Sequence, residues 1–112
     1  MSITRKIHGV ELYFDFSNWG SHSLDGIAAA ERAAALVAAE PAEVVREAYA
    51  LLQRAEHDDE FSDQLYEQPD NPAFAAYWRL QRLAEQARAE KMRRPLRPTD
   101  TGYHAYVCLP PG

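Results

Sequence analysis

The chain has 112 residues, 46% of them hydrophobic and 26% charged, with a formal net charge of −5. That length and mix predict one domain over residues 1–112, able to bury roughly 60–70% of its unfolded surface and so to fold without disulfides or a structural metal. The single cysteine, Cys108, excludes an internal disulfide and suits a reducing compartment.

In chain order, the sharpest local signal comes first. Val10, Leu12, Phe14 and Phe16 alternate with Glu11, Tyr13 and Asp15, the period-two pattern of a half-buried strand. His8-Gly9 suits a two-residue hairpin turn, because glycine accepts the positive φ that such a turn requires. The turn pairs Ile7 with Val10, Lys6 with Glu11, Arg5 with Leu12 and Ile3 with Phe14. It sets Ile3, Ile7, Val10, Leu12, Phe14 and Phe16 on one face, an agreement that a one-residue slip destroys. Arg5 is the misfit, and its stem has to snorkel out from the core edge. The alternative is one strand over residues 7–16 behind a loose tail.

Residues 17–23, SNWGSHS, read as loop. A helix follows from Ser23 or Asp25, either of which can cap it, to about Ala39, with Leu24, Ile27, Ala34 and Val37 facing inward and alanines allowing a close neighbour. Pro41 starts a second helix, on which Val44, Val45, Ala48, Leu51, Leu52 and Ala55 form one apolar stripe. Residues 56–67 are acidic, anchored only by Phe61, Leu65 and Tyr66, and form a loop or a short helix. Asn71-Pro72 is a cap followed by a first-turn proline, opening a long helix to about Met92 that carries Phe74, Tyr77, Leu80, Leu83, Ala84 and Ala87 inward. Pro95 and Pro98 bracket an extended connector. Asp100-Thr101-Gly102 turns into a final strand over residues 103–109, where Tyr103, Ala105, Val107 and Leu109 alternate with His104, Tyr106 and Cys108. That strand must return to the N-terminal one, since a lone strand leaves its backbone groups unpaired.

The expected fold is therefore α+β: a small antiparallel sheet, an N-terminal hairpin or strand plus the C-terminal strand, covered on one face by three or four helices in the order ββααα(α)β. Tyr13, His104 and Tyr106 then sit on the uncovered face, a surface suited to a partner or to a second copy. Trp19 and Trp78 are further candidates, Trp78 better read as helix packing. No stretch has the apolar length of a leader or a membrane span; residues 27–39 are mostly alanine and are interrupted by Glu31 and Arg32. A cytoplasmic protein that does not engage a membrane is expected. Ten arginines against two lysines, beside nineteen alanines, fit a GC-rich bacterial or phage gene.

Charge is unevenly spread. Residues 40–70 hold ten acids against two bases, whereas residues 79–97 hold seven bases against two acids. Such a chain is either an electrical dipole or a molecule whose halves neutralise each other.

Patterns for chemistry are scarce. His57-Asp58-Asp59-Glu60 is rich in ligand types, but neighbours in sequence point apart where ligation needs convergence, so a solvated acidic turn is the plainer reading and no metal is expected. Cys108 shares a strand face with His104 about two pleats away, and a spectator thiol explains it more simply than a nucleophile. The serines lie in a loop without a G-x-S-x-G elbow, and neither phosphate-binding glycine motif occurs. No catalytic residue, enzyme activity or cofactor is expected.

What remains is binding. Glu56, Asp58, Asp59, Glu60 and Asp63, with Tyr13, His104 and Tyr106, are the candidate partner-binding residues, complementary to a basic, nucleic-acid-binding protein. Small acidic inhibitors that occupy the nucleic-acid groove of a larger complex, as some borne by phages or mobile elements do, work this way; the parallel is one of size and charge. The alternative is a small nucleic-acid-binding protein using Arg88, Lys91, Arg93, Arg94 and Arg97 at a helix end together with the sheet aromatics. Net charge opposes it, and cations near a helix C-terminus also offset the macrodipole.

Overall fold

The computed structural model describes residues 2–18, 25–92 and 103–111, with the side chains of residues 17, 18, 103 and 104 set aside. It opens with a hairpin of β1 (Ser2–Ile7) and β2 (Val10–Asn18). His8 and Gly9 between them have φ of 50° and 86°, the two left-handed positions of a tight hairpin turn. The register is Ile3 to Phe14, Arg5 to Leu12, Lys6 to Glu11 and Ile7 to Val10, as the alternation predicts, and the single-strand alternative is ruled out. Arg5 resolves its misfit by turning out to solvent, where its guanidinium donates to the Thr4 carbonyl at 3.0 Å.

Helix α1 (Gly26–Ala38) starts at Asp25, whose carboxylate accepts from the Ala28 amide at 3.1 Å. Its buried stripe is Ala29, Ala30, Ala33, Ala34 and Val37. Ile27, expected inward, is 38% exposed. It stands two residues, about 200° of helical turn, before Ala29, and the smaller residues win the inner face because they let α1 come close to its neighbour. Leu24 and the alternative cap Ser23 lie outside the described residues.

Helix α2 (Ala42–His57) follows Pro41 and buries Val45, Ala48 and Leu52, with Val44, Leu51 and Ala55 half-buried beside them. The acidic stretch is helical: α3 (Asp59–Glu67) buries Phe61 and Leu65. Asn71 caps a 3-10 turn at Pro72–Phe74, which runs into α4 (Ala75–Lys91). Phe74, Tyr77, Leu80, Leu83, Ala84 and Ala87 are all buried, as predicted. The connector with Pro95 and Pro98 and the turn at Asp100-Thr101-Gly102 lie outside the described residues.

β3 (Tyr103–Cys108) pairs antiparallel with β2, so the sheet order is β1-β2-β3 and β2 is the central strand. One sheet face is core: Leu12, Phe14 and Phe16 are fully buried, with Ala105 and Val107 next to them. Burying each of the three large β2 side chains is worth roughly 1.5–3 kcal/mol before entropy is subtracted. Helix α1 lies over β1 and β2, α4 over β3 and against α1, while α2 packs on α4 and carries α3. Among the described residues, no helix packs on the other face of the sheet. The hairpin turn is fastened to the helices: the His8 ring Nε2 donates toward the carbonyls of Ala38 (3.1 Å) and Glu40 (2.9 Å), and Arg46 donates to the His8 carbonyl at 3.0 Å. Among the described residues, no helix is long and apolar enough to cross a membrane.

Candidate functional site

The acidic residues form a fixed corner where α2 hands over to α3. Asp58 ends one helix and caps the next, its carboxylate accepting from the Phe61 amide at 3.0 Å. Asp59 and Glu60 occupy the first turn of α3, where negative charge offsets the helix dipole. Those three side chains thus have a local structural use. Glu56 and Asp63 do not. All five are exposed, and among the described residues no ion pair reaches any of them.

The corner is held rigid from below. Phe61 is buried edge-on to Phe74, with ring centroids 5.6 Å apart, and the Arg54 guanidinium lies 4.0 Å over its ring. Trp78 on α4 donates its indole N–H to the Leu65 carbonyl of α3 at 3.0 Å. These ties let α3 keep its place despite burying only two side chains, so the charges it displays are pre-organised.

The charge split is only partly resolved within the fold. Arg79 of the basic segment pairs with Glu40, while Arg88 pairs with Glu85 and Arg32 with Glu90. Arg32 holds the Glu90 carboxyl below the usual carboxylate range, helped by a hydrogen bond from Gln86. Among the described residues, no cation forms an ion pair with the corner at α2–α3.

Beside it lies an open cleft of about 640 Å³, between α4 and the outer edge of β3. Its walls are aromatic: Tyr66 from α3, Tyr77 and Trp78 from α4, and Tyr106 from β3. Tyr77 meets Tyr66 and Trp78 edge to face, at 5.9 and 5.1 Å between centroids. Burial, with hydrogen bonding to Tyr66, pushes the Tyr77 phenol up from its ordinary value. At the back stands Gln81, 9% exposed. Its amide nitrogen donates to the Val107 carbonyl at 2.7 Å, and its amide oxygen accepts from the Val107 N–H at 3.1 Å. The side chain stands where a fourth strand would bond and closes that point of the β3 edge. Cys108 is half-buried and pushed up to about 11, by burial first and by Asp15 on the neighbouring strand second.

A smaller depression of about 220 Å³ shares Leu52, Tyr66 and Cys108 with the cleft and extends to Glu56 and Ser62. The acidic corner and the edge of the open sheet face, two separate surfaces in the sequence, therefore form one continuous surface. Tyr106 belongs to it, at 48% exposed. Tyr13 is half-buried and pairs with Cys108 across the strands. His104 is placed only by its backbone, opposite Ser17.

The alternative basic site is less assembled. Arg88 is engaged by Glu85, Lys91 is exposed at the end of α4, and Arg93, Arg94 and Arg97 lie outside the described residues. Among the described residues, no group of three or more His, Cys, Asp and Glu side chains converges on a point that could hold a metal ion. Sequence reasoning did not find the cleft. Its one available signal was Gln81, a lone amide four residues after Tyr77 on an otherwise apolar stripe. No family model matches the chain, and comparison with curated proteins and with solved structures finds no match.

Proposed function

We propose that this protein is a non-enzymatic, cytoplasmic binding module that docks a basic protein surface, of the kind that otherwise holds nucleic acid, and so acts as an inhibitor of a nucleic-acid-handling complex. The observation that carries this reading is the corner at α2–α3: exposed carboxylates without ion-pair partners among the described residues, beside and on a helix pinned by Phe61, Leu65 and Trp78. Unpaired like charges on a fixed scaffold repel one another, and an opposing basic surface relieves that repulsion while speeding encounter. The adjoining aromatic cleft supplies the desolvated apolar contact that charge alone lacks, since anchors of this chemistry dominate interface energies.

The test is capture of partners from the source cell by the wild-type chain and by a variant carrying Glu56→Lys, Glu60→Lys and Asp63→Lys. Asp58 is spared because it caps α3. Basic nucleic-acid-binding proteins should be retained by the wild type and lost by the variant, with retention falling as salt rises. Equal capture by both forms would refute the acidic docking surface. A mobility shift of single-stranded RNA by the purified chain, abolished by Arg93→Ala and Arg94→Ala, would favour the nucleic-acid reading instead.

A further inference from the structure

We infer that the cleft between α4 and β3 is a receptor for an arginine side chain of the basic partner, with the guanidinium entering among Tyr66, Trp78 and Tyr106. This deepens the docking proposal and rests on it.

Three observations lead to a cationic, planar occupant. The first is continuity: Tyr66 and Cys108 line both the cleft and the depression that reaches Glu56, so a basic segment lying on the acidic corner passes directly over the cleft mouth. The second is charge. Glu56 lies on the rim with no ion-pair partner among the described residues, and Asp15 is close enough to Cys108 to disfavour a thiolate there, whereas Glu85 is already engaged by Arg88 and Arg82 is a cation of the described lining. The negative charge open to an occupant is therefore that of Glu56 and the adjoining acidic corner. The third is chemistry. Aromatic faces attract cations, most strongly where water is excluded, and guanidinium adds stacking that a compact ammonium does not provide. The chain already uses the same contact, with Arg54 over Phe61 at 4.0 Å. The fixed polar group at the back, the Gln81 amide, is committed to Val107, so the recognition falls to the rings and to Glu56 at the rim.

The experiment is calorimetric titration of the full chain with a short acetylated peptide alternating glycine and arginine, and with its lysine counterpart. The arginine peptide should bind about tenfold more tightly than the lysine peptide, a ratio within the range of one desolvated cation–π contact. Tyr106→Ala and Tyr66→Ala should each abolish that preference while the circular-dichroism spectrum stays that of the wild type, Tyr66→Ala at a somewhat lower thermal midpoint because its ring meets Tyr77. Charge reversal at Glu56, Glu60 and Asp63 should weaken both peptides alike. If both peptides bind equally and neither tyrosine variant changes the ratio, the arginine receptor is refuted while the acidic docking surface stands. If neither peptide binds, both are refuted.

Discussion

Gln81→Glu is the most informative single change in the fold, because it replaces the donating NH2 by oxygen and changes almost nothing in shape. The native amide satisfies both backbone groups of Val107, donating at 2.7 Å and accepting at 3.1 Å, on a side chain 9% exposed. An ionised carboxylate keeps the acceptor but sets an oxygen against the Val107 carbonyl where the donor stood. A lost bond with a stranded buried carbonyl costs about 1–3 kcal/mol, and burying the charge adds to it. The total has a ceiling, since the group can take up a proton and donate again. Protonating a carboxyl of unfolded pKa about 4.3 at pH 7 costs about 3.7 kcal/mol, at 1.36 kcal/mol per pH unit. The expected penalty at pH 7 is therefore about 3 kcal/mol.

The folded-state pKa of the new group is raised, so its stabilising contribution is complete below about pH 4.3 and is lost as pH rises through the folded value. Urea unfolding of variant and wild type, compared at each pH, should show a gap that narrows by about 2 kcal/mol in all between pH 7 and pH 5 and falls under about 1 kcal/mol near pH 4. A gap that is the same at pH 4 and pH 7, or that stays below about 0.5 kcal/mol throughout, would refute the pairing of Gln81 with the β3 edge.

Other perturbations probe separate parts of the structure. Asp58→Ala removes the cap on the Phe61 amide and should cost about 1 kcal/mol in urea unfolding, with the loss of helical signal confined to a small fraction; no change would mean that α3 does not depend on this carboxylate. Gly9→Ala meets no steric obstacle, the nearest atom to a new Cβ being Arg46 Nη2 at 3.9 Å, but must hold φ near 86°. It should lose about 1–2 kcal/mol from backbone strain alone, and a neutral result would argue against the left-handed turn. The Cys108 thiol, raised to about 11, should react with a thiol-specific disulfide reagent far more slowly at pH 8 than the same thiol in urea, the rate climbing as pH approaches 11; equal rates would contradict its burial. Because this shift is upward, the stability it contributes is present below the ordinary thiol pKa and disappears as pH rises through about 11.

The hairpin was readable from residues 3–16 because period-two alternation and a turn glycine fix one register between them. The helix pattern of residues 42–57 and 75–91 was equally plain, since large apolar residues repeat at helical spacing. Ile27 misled because hydrophobicity was weighed by size, whereas α1 packs through its alanines. The acidic stretch left loop and helix both open, since Phe61 and Leu65 give one short apolar stripe and the Asp58 cap is legible only beside it. For the candidate site, the carboxylates were visible as a run. The cleft was not, because it is assembled from α3, α4 and β3, elements whose adjacency depends on β3 returning to β2 and on Trp78 pinning α3. No local pattern encodes that meeting of Tyr66 with Tyr106.

The most direct test of the docking account is an amide-resolved NMR titration of the isotope-labelled chain with the glycine–arginine peptide. Shifts should gather on Glu56, Asp63, Tyr66, Tyr106 and Cys108, and should fade with added salt. Shifts confined to the end of α4 around Arg88 and Lys91, or scattered evenly over the surface, would contradict it.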